Sequence, residues 1–181
     1  DDTSAGYVIE GGELRIVDAD GKDVPQGETG EIWMRGTGLM PGYFRDEQAT
    51  AQVMRPGGWY ASGDLGRQDA DGALTVVGRL KEMIIRSGFN VYPGEVEAVL
   101  CRFPGIQRAA VMGQREADGN EAVVAFVETA AGQTPDMDLL NAHIADNLAP
   151  YKCPSRIVSM EAFPMTLSGK ILKRAMLQHL G

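Results

Sequence analysis

Through residues 1–80, apolar positions come in short alternating runs separated by Gly, Pro and Asp. Residues 13–17, 30–35 and 73–77 carry β-branched or alternating side chains, which predicts short half-buried strands. Asp18-Ala19-Asp20-Gly21 and Asp71-Gly72 are turn signals. Residues 46–54 predict one short helix with Asp46 as its N-cap. Many short strands with frequent turns predict a small, distorted β-barrel-like subdomain.

The pattern changes after Lys81. Residues 83–86 predict a short strand. Residues 93–103 predict a helix, with Pro93 in its first turn, Glu95 and Glu97 near its positive end, and Val96, Val99, Leu100 and Phe103 along one stripe. Runs 109–112 and 122–128 predict buried strands. A second helix is predicted over 136–148, with Met137, Leu140, Ile144 and Leu148 on one face. A strand over 156–160 and a last helix over 170–180 complete a compact α+β domain. The expected division is therefore 1–80 and 81–181, within an α+β chain.

Composition narrows the class. A chain of 181 residues with 44% hydrophobic content allows one or two domains with a core. No apolar run reaches the ~18 residues a membrane span needs, and no signal-like stretch is present. The start at Asp1, inside an acidic polar run, suggests a piece of something longer. Cys101 and Cys153 form no CxxC pair, as expected for reduced thiols in a cytoplasmic protein. His143 and His179, the two histidines, argue against a zinc site or a histidine-dependent triad, and no metal site is expected.

A net charge of −8 argues against a nucleic-acid surface. The charge is uneven, however. Residues 151–181 hold Lys152, Arg156, Lys170, Lys173 and Arg174 against the lone acid Glu161. That is a net of +4, which leaves −12 for the other 150 residues. A basic tail on an acidic body suits a polyphosphate handled at one place. For Lys173 and Arg174 taken singly, a solvated helix face is the simpler reading.

Three segments could carry chemistry. Asp64, between Gly63 and Gly66, could accept hydrogen bonds from a ribose diol on a loop where backbone approaches closely; the alternative is an Asx turn. Arg79, at the end of a predicted strand, could bond the same ribose or a phosphate. The loop Ser87-Gly88-Phe89-Asn90 predicts a tight turn into the helix at Pro93 that could pass a narrow ligand close to the backbone. Lys170 sits on a Ser168-Gly169 hinge. The segment is not a P-loop: Pro164 replaces the first glycine, and Ile171 stands where Ser or Thr would bind magnesium.

Taken in order, residues 36–43 (GTGLMPGY), 60–66 (YASGDLG), 78–82 (GRLKE), 84–97 (IIRSGFNVYPGEVE) and 164–174 (PMTLSGKILKR) closely resemble one family. It is the C-terminal third of the adenylate-forming superfamily of acyl-CoA synthetases, peptide-synthetase adenylation domains and luciferases. The flavour is that of fatty-acyl or aryl-CoA ligases. The resemblance covers essentially the whole chain.

The resemblance implies that a carboxylate attacks ATP to give acyl-AMP, and that the coenzyme A thiol then displaces AMP. It implies that Asp64 and Arg79 bind the ribose and phosphate of ATP or AMP, and that Lys81 is the hinge of a mobile C-terminal domain. Lys170 then matches the adenylation lysine, and Ser87, Gly88 and Phe89 the loop facing the pantetheine of CoA. Ser62 stands where the family often has threonine. The pyrophosphate loop, the acyl pocket and the glutamate that helps hold Mg2+ lie upstream in the family, so a missing N-terminal portion is an expected partner and the chain alone is expected to be nearly inactive. A carrier-protein acceptor, or a non-catalytic nucleotide-binding module, are the alternatives.

Overall fold

A computed structural model describes residues 4–129, 133 and 135–180. The chain divides into two compact units, Asp1–Lys81 and Glu82–Gly181.

The first unit is a single antiparallel sheet curled into a half-barrel. Its strands are β1 (Gly12–Val17), β2 (Gly30–Gly36), β3 (Met54–Arg55), β4 (Trp59–Gln68) and β5 (Leu74–Arg79). The spatial order is β1-β2-β4-β3, with β5 also paired to β4. Ile16, Val17, Ile32, Ala61 and Leu65 form the buried face. On the other face Arg15 and Arg35 lie over Trp59, with guanidinium-to-ring distances of 5.4 and 4.6 Å. The short helix α1 (Glu47–Val53) is capped by Asp46, whose carboxylate accepts the Ala49 amide.

The ten-residue strand β4 was not foreseen. Two glycines and an aspartate interrupt its apolar alternation, so residues 60–66 read as a loop. The backbone accommodates them by bulging. Between the pairs Glu31↔Leu65 and Trp33↔Ala61, Ser62, Gly63 and Asp64 oppose Ile32 alone. Gly63 adopts φ +73°, a left-handed conformation that relieves the extra length.

The second unit is built on a three-stranded sheet in the order β10-β9-β8. Strands β8 (Ile106–Arg115) and β9 (Glu121–Thr129) are antiparallel, and β10 (Arg156–Met160) runs parallel to β9. The central strand β9 is buried on both faces, which is why it reads as a continuous apolar run. Val123, Ala125 and Val127 meet α2 (Pro93–Cys101) and α3 (Met137–Asn147) through Val96, Leu100, Leu140 and Ile144. Val124 and Phe126 point the other way, onto Phe163 and Met176.

Two expectations are corrected in this unit. The segment before Pro93 is not simply a turn into the helix but a hairpin, β6 (Ile84–Arg86) with β7 (Phe89–Val91). Ser87 and Gly88 at φ 52° and 81° form its two-residue turn, the left-handed geometry that matches strand twist. The last helix is short: α4 covers only Lys173–Met176, followed by a 3-10 turn over Leu177–Leu180. Residues 170–172 cannot be helical because their backbone is spent elsewhere. Ile171 bridges Met165, Lys170 C=O accepts the Thr166 amide, and the Leu172 amide donates to Pro164 C=O.

Candidate functional site

Asp64 and Arg79 are brought together. They are register partners across β4 and β5, and Arg79 Nε lies 2.9 Å from Asp64 Oδ1. Asp64 therefore sits on a bulged strand rather than on a loop, and the strand pairing sets its position. Its side chain is 33% exposed and that of Arg79 is 56% exposed. An ion pair so open contributes only about 0–1 kcal/mol to stability. What the arrangement offers instead is a presented surface: among the described residues no hydrogen bond occupies Asp64 Oδ2 or the terminal guanidinium nitrogens, which suit a hydroxyl and an anionic oxygen.

The bulge that presents Asp64 is held from below. Ser62 Oγ donates to Ile32 C=O at 2.8 Å and accepts the Asp64 amide at 3.0 Å. Glu31 accepts the Gly63 amide at 3.1 Å and the Trp33 indole N–H at 2.9 Å. Beside Asp64, the neighbouring Tyr43 hydroxyl pushes the Tyr60 phenol above its ordinary value; burial and the Asp64 carboxylate add to the shift, while Arg79 opposes it. The Tyr60 hydroxyl thus stays neutral, a donor and acceptor next to the carboxylate.

Glu31 was missed by sequence reading, because its contact with Gly63 spans 32 residues and leaves no local trace. The role of Ser62 was legible only as a hydroxyl in the motif.

Lys81 is exposed in a 3-10 turn over Leu80–Glu82, the last residue of the first unit. Ser87, Gly88 and Phe89 form the exposed tip of the β6–β7 hairpin in the second unit. The tip is braced from three sides. The Ser87 amide donates to Asn120 Oδ1 at 2.7 Å. Arg86 donates to Cys153 C=O at 2.6 Å. The Phe89 ring stacks on Tyr151 with centroids 4.7 Å apart. Such bracing gives a rigid edge with two glycine-like backbone conformations at its apex.

Lys170 lies on a separate turn of the second unit. It is exposed, and among the described residues its ammonium makes no ion pair. The turn itself is not a slack hinge. Thr166 and Lys170 are joined twice, by Thr166 N–H to Lys170 C=O at 2.8 Å and by Lys170 N–H to Thr166 Oγ1 at 3.0 Å. Gly169 at φ +81° closes it. Before the turn, the Phe163 amide donates to buried Glu128 at 2.8 Å, and Glu128 also pairs with Arg108. Lys173 is not a solvated surface lysine. Its ammonium contacts Glu82 at 3.2 Å, Glu97 at 3.0 Å and Val111 C=O at 3.3 Å.

Each unit by itself presents charge: the first a carboxylate and guanidinium, the second an ammonium that makes no ion pair among the described residues. Two family models match this chain: the AMP-binding enzyme C-terminal domain over residues 95–170, and the AMP-binding enzyme over residues 1–44. The indoleacetate–CoA ligase of Aromatoleum aromaticum is 42% identical over 94% of this chain and 33% of its own length. The chain belongs to the adenylate-forming AMP-binding enzyme family.

Other AMP-binding relatives agree. Feruloyl-CoA synthase of an Amycolatopsis species is 41% identical, over 93% of this chain and 34% of its own length. Among solved structures, the amide bond synthetase of Marinactinospora thermotolerans superposes with a TM-score of 0.90 at 38% identity, covering 99% of this chain and 37% of that one. The o-succinylbenzoate CoA synthetase of Bacillus subtilis, in complex with its acyl-adenylate, gives 0.87 at 31% identity, covering 96% and 35%. The chain spans about a third of the length of the curated relatives it matches.

Proposed function

We propose that this chain is the C-terminal third of an ATP-dependent carboxylate–CoA ligase that forms an acyl-AMP and then an acyl-CoA. The observation that carries the reading is the Asp64–Arg79 pair, held across two strands yet open to solvent, in a chain whose curated relatives are CoA ligases and synthetases.

In this reading Asp64 accepts the ribose hydroxyls of the nucleotide, and Arg79 reaches the ribose or α-phosphate while holding Asp64 in place. Lys170 bridges the attacking carboxylate and the α-phosphate. Negative charge builds on those oxygens as the bond to pyrophosphate breaks, so an ammonium placed there lowers the barrier more than it tightens ground-state binding. Lys81 is the pivot between residues 1–80, the last β-rich part of the large adenylating domain, and the C-terminal domain. Rotation about it withdraws Lys170 and presents the Ser87-Gly88-Phe89 tip to the pantetheine thiol, so that one acyl-AMP meets two sets of neighbours in turn. Among the described residues no cluster of His, Cys, Asp and Glu could hold a metal ion.

The aromatic acids named by the relatives, indoleacetate and ferulate, are the first probes. With the upstream portion restored, acid-dependent ATP–pyrophosphate exchange is expected. Lys170→Ala should cut it by about a hundredfold or more while sparing thioester formation from supplied acyl-AMP. Exchange indifferent to Lys170→Ala would remove the role assigned to that residue. Offering free CoA, a phosphopantetheinyl carrier protein and an amine to the same acyl-AMP identifies the acceptor, and transfer to the carrier or the amine alone would overturn the CoA assignment. Tight AMP binding by the 181-residue chain without any exchange in the restored protein would favour a non-catalytic nucleotide-binding module.

A further inference from the structure

Two lysines three residues apart have opposite surroundings. Lys170 is exposed and unpaired among the described residues, whereas Lys173 is largely enclosed and held by three groups. The three come from separate places in the second unit. Glu82 is its first residue. Glu97 lies on α2. Val111 lies on β8, an edge strand of the sheet.

The Val111 contact has a physical reason. An edge strand leaves outward N–H and C=O groups without a ladder partner. Here the Val111 amide donates to Glu97 Oε1 at 2.8 Å, and its carbonyl accepts from Lys173 at 3.3 Å. Glu97 and Lys173 are themselves 3.0 Å apart, so the edge peptide, the acid and the ammonium close on one another. Burial opposes the charge on Lys173, but the Glu97 and Glu82 carboxylates outweigh it and hold its ammonium above the ordinary lysine value. Lys173 is therefore a cation held by three partners of the second unit. Three residues earlier, the Lys170 turn is fixed by its own hydrogen bonds, and three residues later Met176 is fully buried against the sheet.

We propose that Lys173 is the positioning residue for Lys170: by joining the edge peptide of Val111 and Glu97 to Glu82, it locks the Lys170 turn to the first residue of the second unit. This rests on the reading of Lys81 as pivot and Lys170 as adenylation lysine. Glu82 directly follows Lys81, so any rotation imposed there reaches Lys170 through one ionic joint, without slack in the intervening chain. In this role Lys173 acts only through where it holds Lys170.

The test compares Lys173→Met, Lys173→Arg and Lys170→Ala. In the 181-residue chain, Lys173→Met should speed hydrogen exchange at the Thr166, Gly169 and Lys170 amides by about tenfold or more, since their turn loses its anchor. In the full-length parent it should lower kcat for ATP–pyrophosphate exchange by about ten- to a hundredfold, the usual cost of a displaced catalytic group. KM for ATP and thioester formation from supplied acyl-AMP should stay near wild type, and Lys173→Arg should recover most of the loss. Unchanged amide protection in Lys173→Met, equal loss in both half-reactions, or no recovery with arginine would each overturn the proposal.

If Lys170→Ala leaves exchange intact, the functional reading fails, and the amide protection still decides whether Lys173 holds the turn. Should Lys173→Met unfold the unit, Glu82→Leu removes one contact alone and Glu82→Gln removes only the Glu82 charge; both are expected to give the same pattern more weakly. Wild-type turn protection and kinetics in Glu82→Leu would likewise overturn the lock to Glu82.

Discussion

Ser62→Ala isolates what presents the Asp64 carboxylate. The Ser62 hydroxyl is used at both ends, donating to Ile32 C=O at 2.8 Å and accepting the Asp64 amide at 3.0 Å, in a half-buried bulge. Alanine removes both bonds and leaves a carbonyl and an amide that water reaches only in part. Each bond contributes about 1 kcal/mol net, and incomplete solvation of the orphaned groups keeps the total near 2 kcal/mol. For a unit of this size, with a slope of about 1 kcal/mol per molar urea, the unfolding midpoint should fall by about 2 M. Trp33 and Trp59 both lie in the first unit, and Trp33 donates to Glu31 within the same brace, so tryptophan fluorescence reads this unit. Ser62→Thr keeps the oxygen and should cost less than about 0.5 kcal/mol. An alanine variant within about 0.5 kcal/mol of wild type, or a threonine variant as damaged as the alanine one, would refute the reasoning.

Gly66→Ala should destabilise the first unit by about 1–3 kcal/mol through overpacking. An added Cβ would lie 2.7 Å from Ile32 Cδ1 and 2.9 Å from the Thr75 carbonyl oxygen, and that carbonyl belongs to β5, the strand that carries Arg79. Unchanged urea unfolding followed by fluorescence would contradict this. For Lys173 the pKa is raised on folding, so its stabilisation is complete below the ordinary value of 10.5 and is lost as pH climbs through the higher folded value. Circular dichroism should show the second unit weakening above that pH in wild type, with a shallower alkaline decline in Lys173→Met; identical slopes would show that the ammonium carries no such linkage.

Most of the secondary structure was legible because it rests on local or periodic cues. Asp46 caps α1 by bonding an amide three residues on, and Pro93 opens α2 at a position where its missing N–H is not needed. The apolar run of β9 announced a strand covered on both faces. The elements misread were those whose geometry is set by distant partners. Strand β4 tolerates Gly63 and Asp64 because β2, β3 and β5 pair along it, and the 170–172 segment stays extended because it bridges back to residues 164–166.

The residue types of the site and their order along the chain were determined by sequence alone, and so was their likeness to a family, since those are one-dimensional properties. Only the fold decided that Asp64 and Arg79 face each other, because strand register joins residues fifteen apart. Only the fold separated Lys170 from Lys173. A local string shows two similar cations, and what makes one available and the other fixed is desolvation and pairing by carboxylates 76 and 91 residues away.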